Sequence, residues 1–442
     1  MKRVLFLLSA LCIASVALAQ TSREEVDAHP HIAMSTHSVY TGPYYFKPIA
    51  KAPKGYKPFY ISHYGRHGSR HESQIQYVDF GVRVTRIADS LNLLTPKGKE
   101  VAKYLLWAAS LHENRIGELT PLGVEQHKAI ARRMYARFKP VFHHGAIIDS
   151  RSSNYTRCIL SMAAFNESLK ECKPMLETRM DAAEEHQSVV RPIRSAETNY
   201  THRERNPINH EWHKTFYAWT ATKDFEAPLK RMFTDVDALC KATGESKVQL
   251  MLQIYKRLAF VQNLGYHDRS LLESVYTPDD VYLVYQSENY RWYCAYFGAN
   301  LPDSKRYLAP MYNLVDDIVK HADLAIEGKN SAVANFRFGH DYYLLALLSL
   351  LNCDQIRSDI DYSNVEDVAE KWRAYHFMSM ASNLQMVFYR SKKSDDVLVR
   401  FLENENDITL PLKSVEGPFY KWTDVRKYMT DRANDFKKHL TK

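Results

Sequence analysis

Short apolar runs along the chain predict strands, and three of these runs end in polar, ionisable residues. Phe59–Tyr64 is aromatic and β-branched and follows Pro58, which is typical of a strand. Ala146–Asp149 and Val333–Phe338 have the same character, and later strands are predicted at Leu384–Arg390 and Val397–Leu402. Ligands of open α/β sheets bind beyond the carboxyl ends of the strands. We therefore expect the residues that follow the first three runs to lie together.

Two helix starts are marked by a threonine followed by a proline. Thr95-Pro96 and Thr120-Pro121 each place a capping hydroxyl before a proline at the first helical position. Tyr342–Leu351 is apolar on all sides, which predicts a buried helix. The helix after Thr120 is expected to bury one face, formed by His127, Ile130, Ala131, Met134, Tyr135 and Phe138. Three arginines off that face are expected to be solvated: Arg132, Arg133 and Arg137.

The amino-acid composition of the chain changes near Cys172. From there to Ile326 the chain is rich in Trp, Tyr, His and charge, with helical patches at Ser246–Phe260 and Tyr307–Ile326. We expect an α/β fold with a central mixed sheet flanked by helices and with a mainly helical inserted domain at 172–326. The catalytic α/β domain would comprise 20–171 and 327–442, and its first part, Gln20–Gly55, looks irregular.

The N-terminus has the features of a secretory signal peptide. A basic start, Met1-Lys2-Arg3, precedes the apolar run Val4–Ala19, which ends in an A-x-A pattern. The alternative is a membrane anchor, but the run is shorter than the roughly 20 residues that a span needs. We expect residues 1–19 to be removed and the protein to be secreted or periplasmic, with no membrane span.

Composition and charge indicate a globular protein and exclude a fibrous, disordered or low-complexity chain. The 442 residues are 45% hydrophobic and 25% charged, which is ordinary for a globular protein. The formal net charge is +8, and loss of Lys2 and Arg3 leaves +6. This positive balance suits an anionic substrate. The sequence has no Lys/Arg-dense run, so we expect no nucleic-acid partner.

The spacing of the cysteines and of potential metal ligands indicates neither a disulfide pattern nor a metal site. Five cysteines follow the predicted signal peptide, and an odd number cannot all pair: Cys158, Cys172, Cys240, Cys294 and Cys353. Disulfides and buried thiols both remain open, as does the oligomeric state. No ligand cluster with zinc-like spacing is present, so we expect no metal and no cofactor, and exhaustive chelation should leave the rate unchanged.

The polar clusters after the strands suggest phosphate chemistry. Arg66 and Arg70 flank His67 in a glycine-containing loop, and arginine forks match phosphate oxygens while a histidine between them can act as nucleophile. One of the arginines of Arg151–Arg157 would supply a third guanidinium. His340 and Asp341 open the buried helix, where His340 would hold phosphate and Asp341 would protonate the leaving oxygen. The structural alternatives are a surface loop and a helix cap.

Four motifs, in order, resemble those of the histidine acid phosphatases, the second branch of the histidine phosphatase superfamily, which includes phytases and multiple inositol polyphosphate phosphatases. R-H-G-x-R is matched by Arg66–Arg70, and L-T-x-x-G-x-x-Q by Leu119–Gln126. Arg151–Arg157 resembles R-S-T-D-x-x-R, and Gly339-His340-Asp341 resembles G-H-D. The motifs lie between about Phe59 and Leu351.

The resemblance implies a metal-independent phosphomonoesterase whose α/β domain carries a helical insertion. His67 would accept the phosphoryl group and Asp341 would donate the proton. The phosphoryl group would be held by Arg66, Arg70, Arg157 and His340. The substrate would be a small phosphomonoester, with inositol polyphosphates favoured and sugar phosphates or other monoesters the alternative.

Two departures from the family pattern concern substrate class. Glu72 stands where proline is usual and brings a carboxylate near the pocket. The inositol polyphosphate phosphatases usually carry H-A-E where this chain has His340-Asp341, although Tyr60–Gly65 looks more like that subgroup.

Two other readings are weaker. A phosphoglycerate-mutase-like enzyme of the other branch would show R-H-G-E, and it would usually be shorter and not exported. A non-catalytic protein of the same fold that binds phosphate ligands would usually lack the nucleophile or the acid, and both are present here.

Overall fold

A mixed β-sheet forms the centre of the molecule. The computed structural model describes residues 20–42, 47–192, 211–297, 308–354, 356 and 359–440, so the predicted signal peptide lies outside the described residues. The sheet runs in the order β3-β2-β4-β1-β5-β6-β7, with β8 paired to β6. Its strands are β1 Tyr56–Arg66, β2 Ile147–Ser152, β3 Glu177–Asp181, β4 Ala332–Gly339, β5 Asn383–Ser391, β6 Ser394–Glu403, β7 Asn406–Ile408 and β8 Tyr420–Lys421.

The register of three parallel strands explains why distant residues meet. β1 pairs with β4 in parallel, and Arg66 lies opposite Gly339. β2 also pairs with β4 in parallel, and Ser152 lies opposite Phe338. The three strands therefore end at one edge of the sheet, as the sequence predicted. The far side of the sheet, from β1 through β5 to β6, is antiparallel.

Helices pack on both faces of the sheet. Before β4 they are α1 Ser22–Ala28, α2 Ile75–Ser90, α3 Pro96–Ser110, α4 Pro121–Arg137, α5 Thr156–Cys172, α6 Gln187–Val190, α7 Glu211–Thr220, α8 Ala227–Met232, α9 Val236–Thr243, α10 Lys247–Phe260, α11 Ser270–Val275, α12 Pro278–Trp292 and α13 Tyr312–Ile326. After β4 they are α14 Asp341–Leu351, α15 Val365–Lys371, α16 Ala374–Phe377 and α17 Trp422–Lys437. The predicted α/β class and mixed sheet are confirmed, whereas the division into domains stays a prediction.

The predicted helix starts are confirmed in detail. The hydroxyls of Thr95 and Thr120 accept hydrogen bonds from the amides of Gly98 and Gly123, and each proline occupies the first turn. α14 is buried along almost its whole length because it packs between the sheet and α17. This buried position follows from its all-round apolar sequence.

Two local expectations were wrong, and one strand lies where none was predicted. β3 at Glu177–Asp181 pairs with β2 and lies within the stretch expected to be mainly helical. The segment after Gln20, expected to be irregular, contains α1, and Thr21 and Glu24 cap that helix reciprocally. Arg133 is not simply solvated, because its guanidinium forms a 2.7 Å ion pair with the buried carboxylate of Glu405.

Membrane and disulfide features of the described residues are simple. None of the helices described has the length and apolar character needed to cross a membrane. All five cysteines in the described part of the chain are free thiols: Cys158, Cys172, Cys240, Cys294 and Cys353.

Two neutral histidines lie in the core beneath the predicted catalytic loop. The ring of His63 packs against Phe165, Phe336 and Phe338 at 5.3–5.4 Å between centroids. His127 packs against two of the same phenylalanines. Burial lowers the pKa of both imidazoles to about 3.

We expect this pair to make the fold sensitive to acid. Below the ordinary pKa of 6.5 the unfolded chain binds two protons that the folded chain binds only near pH 3, so stability falls as pH falls. The loss is roughly 3 kcal/mol between pH 6.5 and about pH 5. Urea unfolding at several pH values across this range should show the fall in the free energy of unfolding. In a His63→Leu/His127→Leu variant, that free energy should change less with pH. An equal slope in that variant would contradict the prediction, and His143→Leu, at an exposed site, is the control.

Candidate active site

The loop after β1 presents a buried histidine with one ring nitrogen engaged. His67 Nδ1 lies 2.9 Å from the carbonyl oxygen of Gly68. Because a carbonyl only accepts, Nδ1 carries the proton and Nε2 keeps its lone pair. The backbone of His67 is fixed by bonds to Gly339 and Ala381, both at 3.0 Å. The local structure therefore holds a neutral imidazole whose Nε2 carries no proton.

Electrostatics keep this imidazole neutral. Burial, reinforced by the positive charges of Arg157 and Arg66, lowers the pKa of His67 well below its usual 6.5. The neutral imidazole of His67 therefore predominates at neutral and mildly acidic pH.

The start of α4 supports the loop through Ser69. The Ser69 carbonyl accepts bonds from the amide and the hydroxyl of Thr120, both at 2.9 Å. Gln126 accepts from the Ser69 amide at 2.8 Å and donates to its hydroxyl at 2.9 Å. Asn263, which sequence reasoning missed, is 2.9 Å from the same hydroxyl. The L-T-x-x-G-x-x-Q motif thus shapes the R-H-G-x-R loop.

Two glycines permit this contact because the backbones meet directly. A Cβ on Gly68 would lie 2.5 Å from the Gly123 carbonyl oxygen, and a Cβ on Gly123 would lie 2.2 Å from the Ser69 carbonyl oxygen. Both distances are too short for any side chain. The glycines of the two motifs are therefore explained by one close approach of loop and helix.

Arg66 is fully buried and is held by backbone carbonyls. Its Nη1 donates to Thr36 and Met378 at 2.5 and 2.7 Å. Its Nη2 lies 2.8 Å from Oδ2 of Asp341. The guanidinium is thus fixed in one orientation, with Nη2 directed toward the start of α14. No sequence pattern marks the carbonyl partners, so these contacts were not predicted.

Glu72 lies beside Arg70, but its charge is compensated. The carboxylate forms an ion pair with Arg257 of α10, while its other oxygen is 4.0 Å from Nη1 of Arg70. Glu72 is only 2% exposed. Because the Glu72 carboxylate pairs with Arg257, it does not neutralise the positive charge of Arg70. The departure from the family proline therefore ties the loop to α10 without placing a free negative charge in the pocket.

Arg157 and His340 are in direct contact. Nη2 of Arg157 donates to Nε2 of His340 at 2.9 Å, and the ring of His340 stands edge-on to that of His67 at 5.4 Å. His340 precedes α14, so the positive end of that helix faces the same space. Arg151 instead pairs with Asp317 and Asp149 at 3.3 and 3.4 Å. Of the two candidate arginines, Arg157 is the one beside His340 and His67.

A further arginine, not singled out from the sequence, lies next to this group. The guanidinium carbons of Arg157 and Arg191 are 4.7 and 4.9 Å from the ring centre of Tyr155. That ring in turn packs edge-on to His340 at 5.0 Å. Neither arginine has an acidic ion-pair partner among the described residues. The only signal available was the position of Arg191 after β3, which no motif covers.

One group of potential metal ligands occurs among the described residues, away from these motifs. Asp181, Glu185 and His186 lie close together, but both carboxylates are exposed. Nε2 of His186 lies within hydrogen-bond distance of Oδ2 of Asp181, at 2.9 Å. Metal independence therefore stays a prediction.

The six predicted residues converge at one edge of the sheet: Arg66, His67, Arg70, Arg157, His340 and Asp341. The family model of the histidine phosphatase superfamily (branch 2) matches residues 65–404, about three quarters of the chain. The chain belongs to this family. This histidine phosphatase is a phosphoric monoester hydrolase. A search of curated proteins finds no match.

Solved structures share the fold of this histidine phosphatase. The multiple inositol polyphosphate phosphatase of Bifidobacterium longum, in complex with inositol hexasulfate, aligns with a TM-score of 0.69 and 19% identity, over 89% of this chain and 96% of that one. The phytase from D. castellii aligns with a TM-score of 0.66 and 14% identity, over 91% and 85% of the two chains. The phytase of Klebsiella sp. ASR1 aligns with a TM-score of 0.56 and 11% identity, over 87% and 96%.

The two candidate arginines of the second motif are separable by mutation. We expect Arg157→Ala to lower kcat/KM roughly tenfold to over a hundredfold, because it removes a charge-assisted contact worth about 1.5–3 kcal/mol. Arg151→Ala should mainly lower stability, since Arg151 pairs with Asp149 and Asp317. Steady-state kinetics and thermal unfolding of both variants test this. A far larger kinetic loss in Arg151→Ala would reverse the assignment.

Proposed function

We propose that this histidine phosphatase acts through a phosphohistidine formed on His67. The hydrogen bond from Nδ1 to the Gly68 carbonyl supports this proposal, because it leaves Nε2 to attack phosphorus. The N–P bond forms as the bond from phosphorus to the leaving oxygen breaks, and Asp341 gives its proton to that oxygen. Water then attacks phosphorus as the N–P bond breaks, and the Asp341 carboxylate takes a proton from the water. Inorganic phosphate leaves, and His67 is restored.

The guanidinium groups would hold the phosphoryl oxygens during both steps. Arg66, Arg70 and Arg157 surround His67 closely enough for their charges to lower its pKa. Arginine is suited to this because its donors match phosphate oxygens in pairs. His340 and the positive end of α14 would add to the binding of negative charge.

We propose inositol polyphosphates as the substrate class. The observation that supports this is Arg191, whose guanidinium carbon, like that of Arg157, lies within 5 Å of the Tyr155 ring centre, and which has no acidic partner among the described residues. The three arginines named above would bind the phosphoryl group that is transferred. A fourth arginine nearby would bind a second phosphate on the same substrate. The B. longum neighbour was solved in complex with inositol hexasulfate, which is a ligand of that protein.

A turnover panel tests the substrate class. It should span inositol hexakisphosphate, sugar phosphates, nucleotides and p-nitrophenyl phosphate. We expect Arg191→Gln to lower kcat/KM for inositol hexakisphosphate roughly tenfold relative to p-nitrophenyl phosphate. Arg86→Gln, at an exposed position of α2, controls for net charge. If inositol hexakisphosphate is turned over much more slowly than simple monoesters, the general acid phosphatase alternative replaces this proposal.

We also propose that the protein is exported. The support is the basic and apolar sequence before Gln20. N-terminal sequencing of the protein recovered outside the cytoplasm should begin at Gln20. Recovery in the cytoplasm with Met1 retained would contradict export.

A further inference from the structure

A glycine lies beside each of the two histidines of the candidate active site. Gly68 follows His67, and Gly339 precedes His340. Gly339, like Gly68, has no room for a side chain, because a Cβ there would lie 2.1 Å from Oη of Tyr64. Glycine has more backbone freedom than any other residue, so the place of each histidine depends on contacts that hold the neighbouring glycine.

Helix α5 supplies one hydrogen bond to each of these glycines. Oγ of Ser161 accepts from the amide of Gly68 at 3.1 Å. One turn earlier, Sγ of Cys158 donates to the carbonyl oxygen of Gly339 at 3.2 Å. Both side chains are fully buried. Because residues three apart in sequence lie on one face of a helix, the same face of α5 contacts both loops.

The Ser161 contact bears on the imidazole of His67. The carbonyl oxygen of Gly68 accepts from Nδ1 of His67 at 2.9 Å, while the amide of Gly68 donates to Ser161. Gly68 is thus held on both sides of its Cα. Ser161 is the only hydrogen-bond acceptor for this amide among the described residues, and a buried amide without a partner is unfavourable. Ser161 therefore keeps the Gly68 carbonyl directed at the imidazole.

The Cys158 contact joins the two loops. The Gly339 carbonyl oxygen that accepts from the thiol also accepts from the backbone amide of His67, at 3.0 Å. The same sulfur lies 3.9 and 4.0 Å from Nε2 and Nδ1 of His340. Burial raises the pKa of the Cys158 thiol to about 11, so at neutral pH the sulfur keeps the proton that it donates. One thiol therefore contacts both the carbonyl that anchors His67 and the ring of His340.

We propose that Ser161 and Cys158 are positioning residues, which hold His67 and His340 in the arrangement that phosphoryl transfer requires. This inference rests on the proposed function, in which His67 accepts the phosphoryl group and His340 helps to bind it. Because both side chains are fully buried, neither touches the substrate. They act through the two histidines, where a misplacement of about 1 Å can cost on the order of a hundredfold in rate.

Single-turnover kinetics of the full-length protein test the proposal. Stopped-flow release of nitrophenolate from p-nitrophenyl phosphate, with the enzyme in saturating excess, measures the rate of phosphoryl transfer. We expect Ser161→Ala to slow this step roughly tenfold to a hundredfold and Cys158→Ala roughly threefold to tenfold. Cys158→Ser retains a donor and should recover most of the rate lost in Cys158→Ala. If Ser161→Ala does not fold, the two Cys158 variants decide the matter.

A count of intact sites separates positioning from a general loss of structure. Titration with inorganic phosphate in a calorimeter gives the number of binding sites per chain, which should equal that of the wild type in each variant. A merely structural role would lower the number of sites and leave the rate per site unchanged, and that result would overturn the proposal.

Two residues of the same helix provide matched controls. Ser168 is also fully buried, but its hydroxyl donates to the carbonyl of Lys128 at 3.1 Å and contacts neither glycine. Cys172 ends α5 as a free, partly buried thiol. Ser168→Ala and Cys172→Ala should therefore react at the wild-type rate per site. Equal slowing in these controls would also overturn the proposal.

Failure of the proposed function has a different signature. In that case the wild type itself would form no phosphohistidine at His67, whatever the rates of the α5 variants. If His67 is phosphorylated and Ser161→Ala and Cys158→Ala still react at the wild-type rate per site, only the positioning role is wrong.

Discussion

His67→Ala is expected to lose nearly all phosphatase activity while keeping its fold. Removal of a catalytic nucleophile costs on the order of 10⁴-fold or more in kcat, because the covalent route is closed. The fold should survive, since the bonds of residue 67 to Gly339 and Ala381 are made by its backbone. Among the described residues, its side chain forms a hydrogen bond only with the adjacent carbonyl of Gly68.

Chemical trapping identifies the intermediate independently of the rate. Rapid quenching of the wild type with a radiolabelled substrate should give a phosphoprotein that is labile in acid and stable in alkali, and His67→Ala should give none. His143→Ala, at an exposed histidine, should be labelled as the wild type is. Substantial residual turnover in His67→Ala would exclude this residue as the phosphate acceptor.

Asp341→Asn is expected to divide substrates by their leaving group. An alkyl alcohol such as inositol or a sugar leaves with a proton, whereas nitrophenolate hardly needs one. A general acid contributes typically 10²–10⁴-fold, so turnover of inositol or sugar phosphates should fall by about that factor while p-nitrophenyl phosphate loses far less. Steady-state rates on both substrate types measure this difference.

The asparagine substitution also separates chemistry from structure. Oδ1 of Asp341 accepts a bond from the Tyr342 amide at 2.9 Å, and an asparagine oxygen preserves that contact, whereas the ion pair of Oδ2 with Arg66 is lost. Equal losses on both substrate types would show that Asp341 positions phosphate or supports the helix instead.

Sequence reasoning succeeded where a pattern depends on local chemistry. The apolar runs located β1, β2 and β4, and the carboxyl ends of these strands then brought Arg66, His340 and the second arginine motif together. Threonine before proline located α3 and α4 because capping is a local interaction. The choice between Arg151 and Arg157 depended on the family resemblance, and the structure adds the reason: Asp149 and Asp317 engage Arg151.

Most features that the sequence did not predict depend on partners elsewhere in the chain. β3 is an edge strand whose residues are mostly exposed, so Glu177–Asp181 carries no apolar alternation. Arg133 was expected to be solvated because Glu405 is remote in sequence. Thr21 and Glu24 did carry a capping-box signal for α1, and it was overlooked.

The anchoring of Arg66 by Thr36 and Met378 sets limits on how far the chain can be shortened. The family match begins at residue 65, which suggests 65–404 as convenient cloning boundaries. A gene trimmed to them would delete the Thr36 carbonyl and most of β1, and it would also remove α17, which packs on α13 and α14. Expression work should therefore retain the chain from Gln20 through α17.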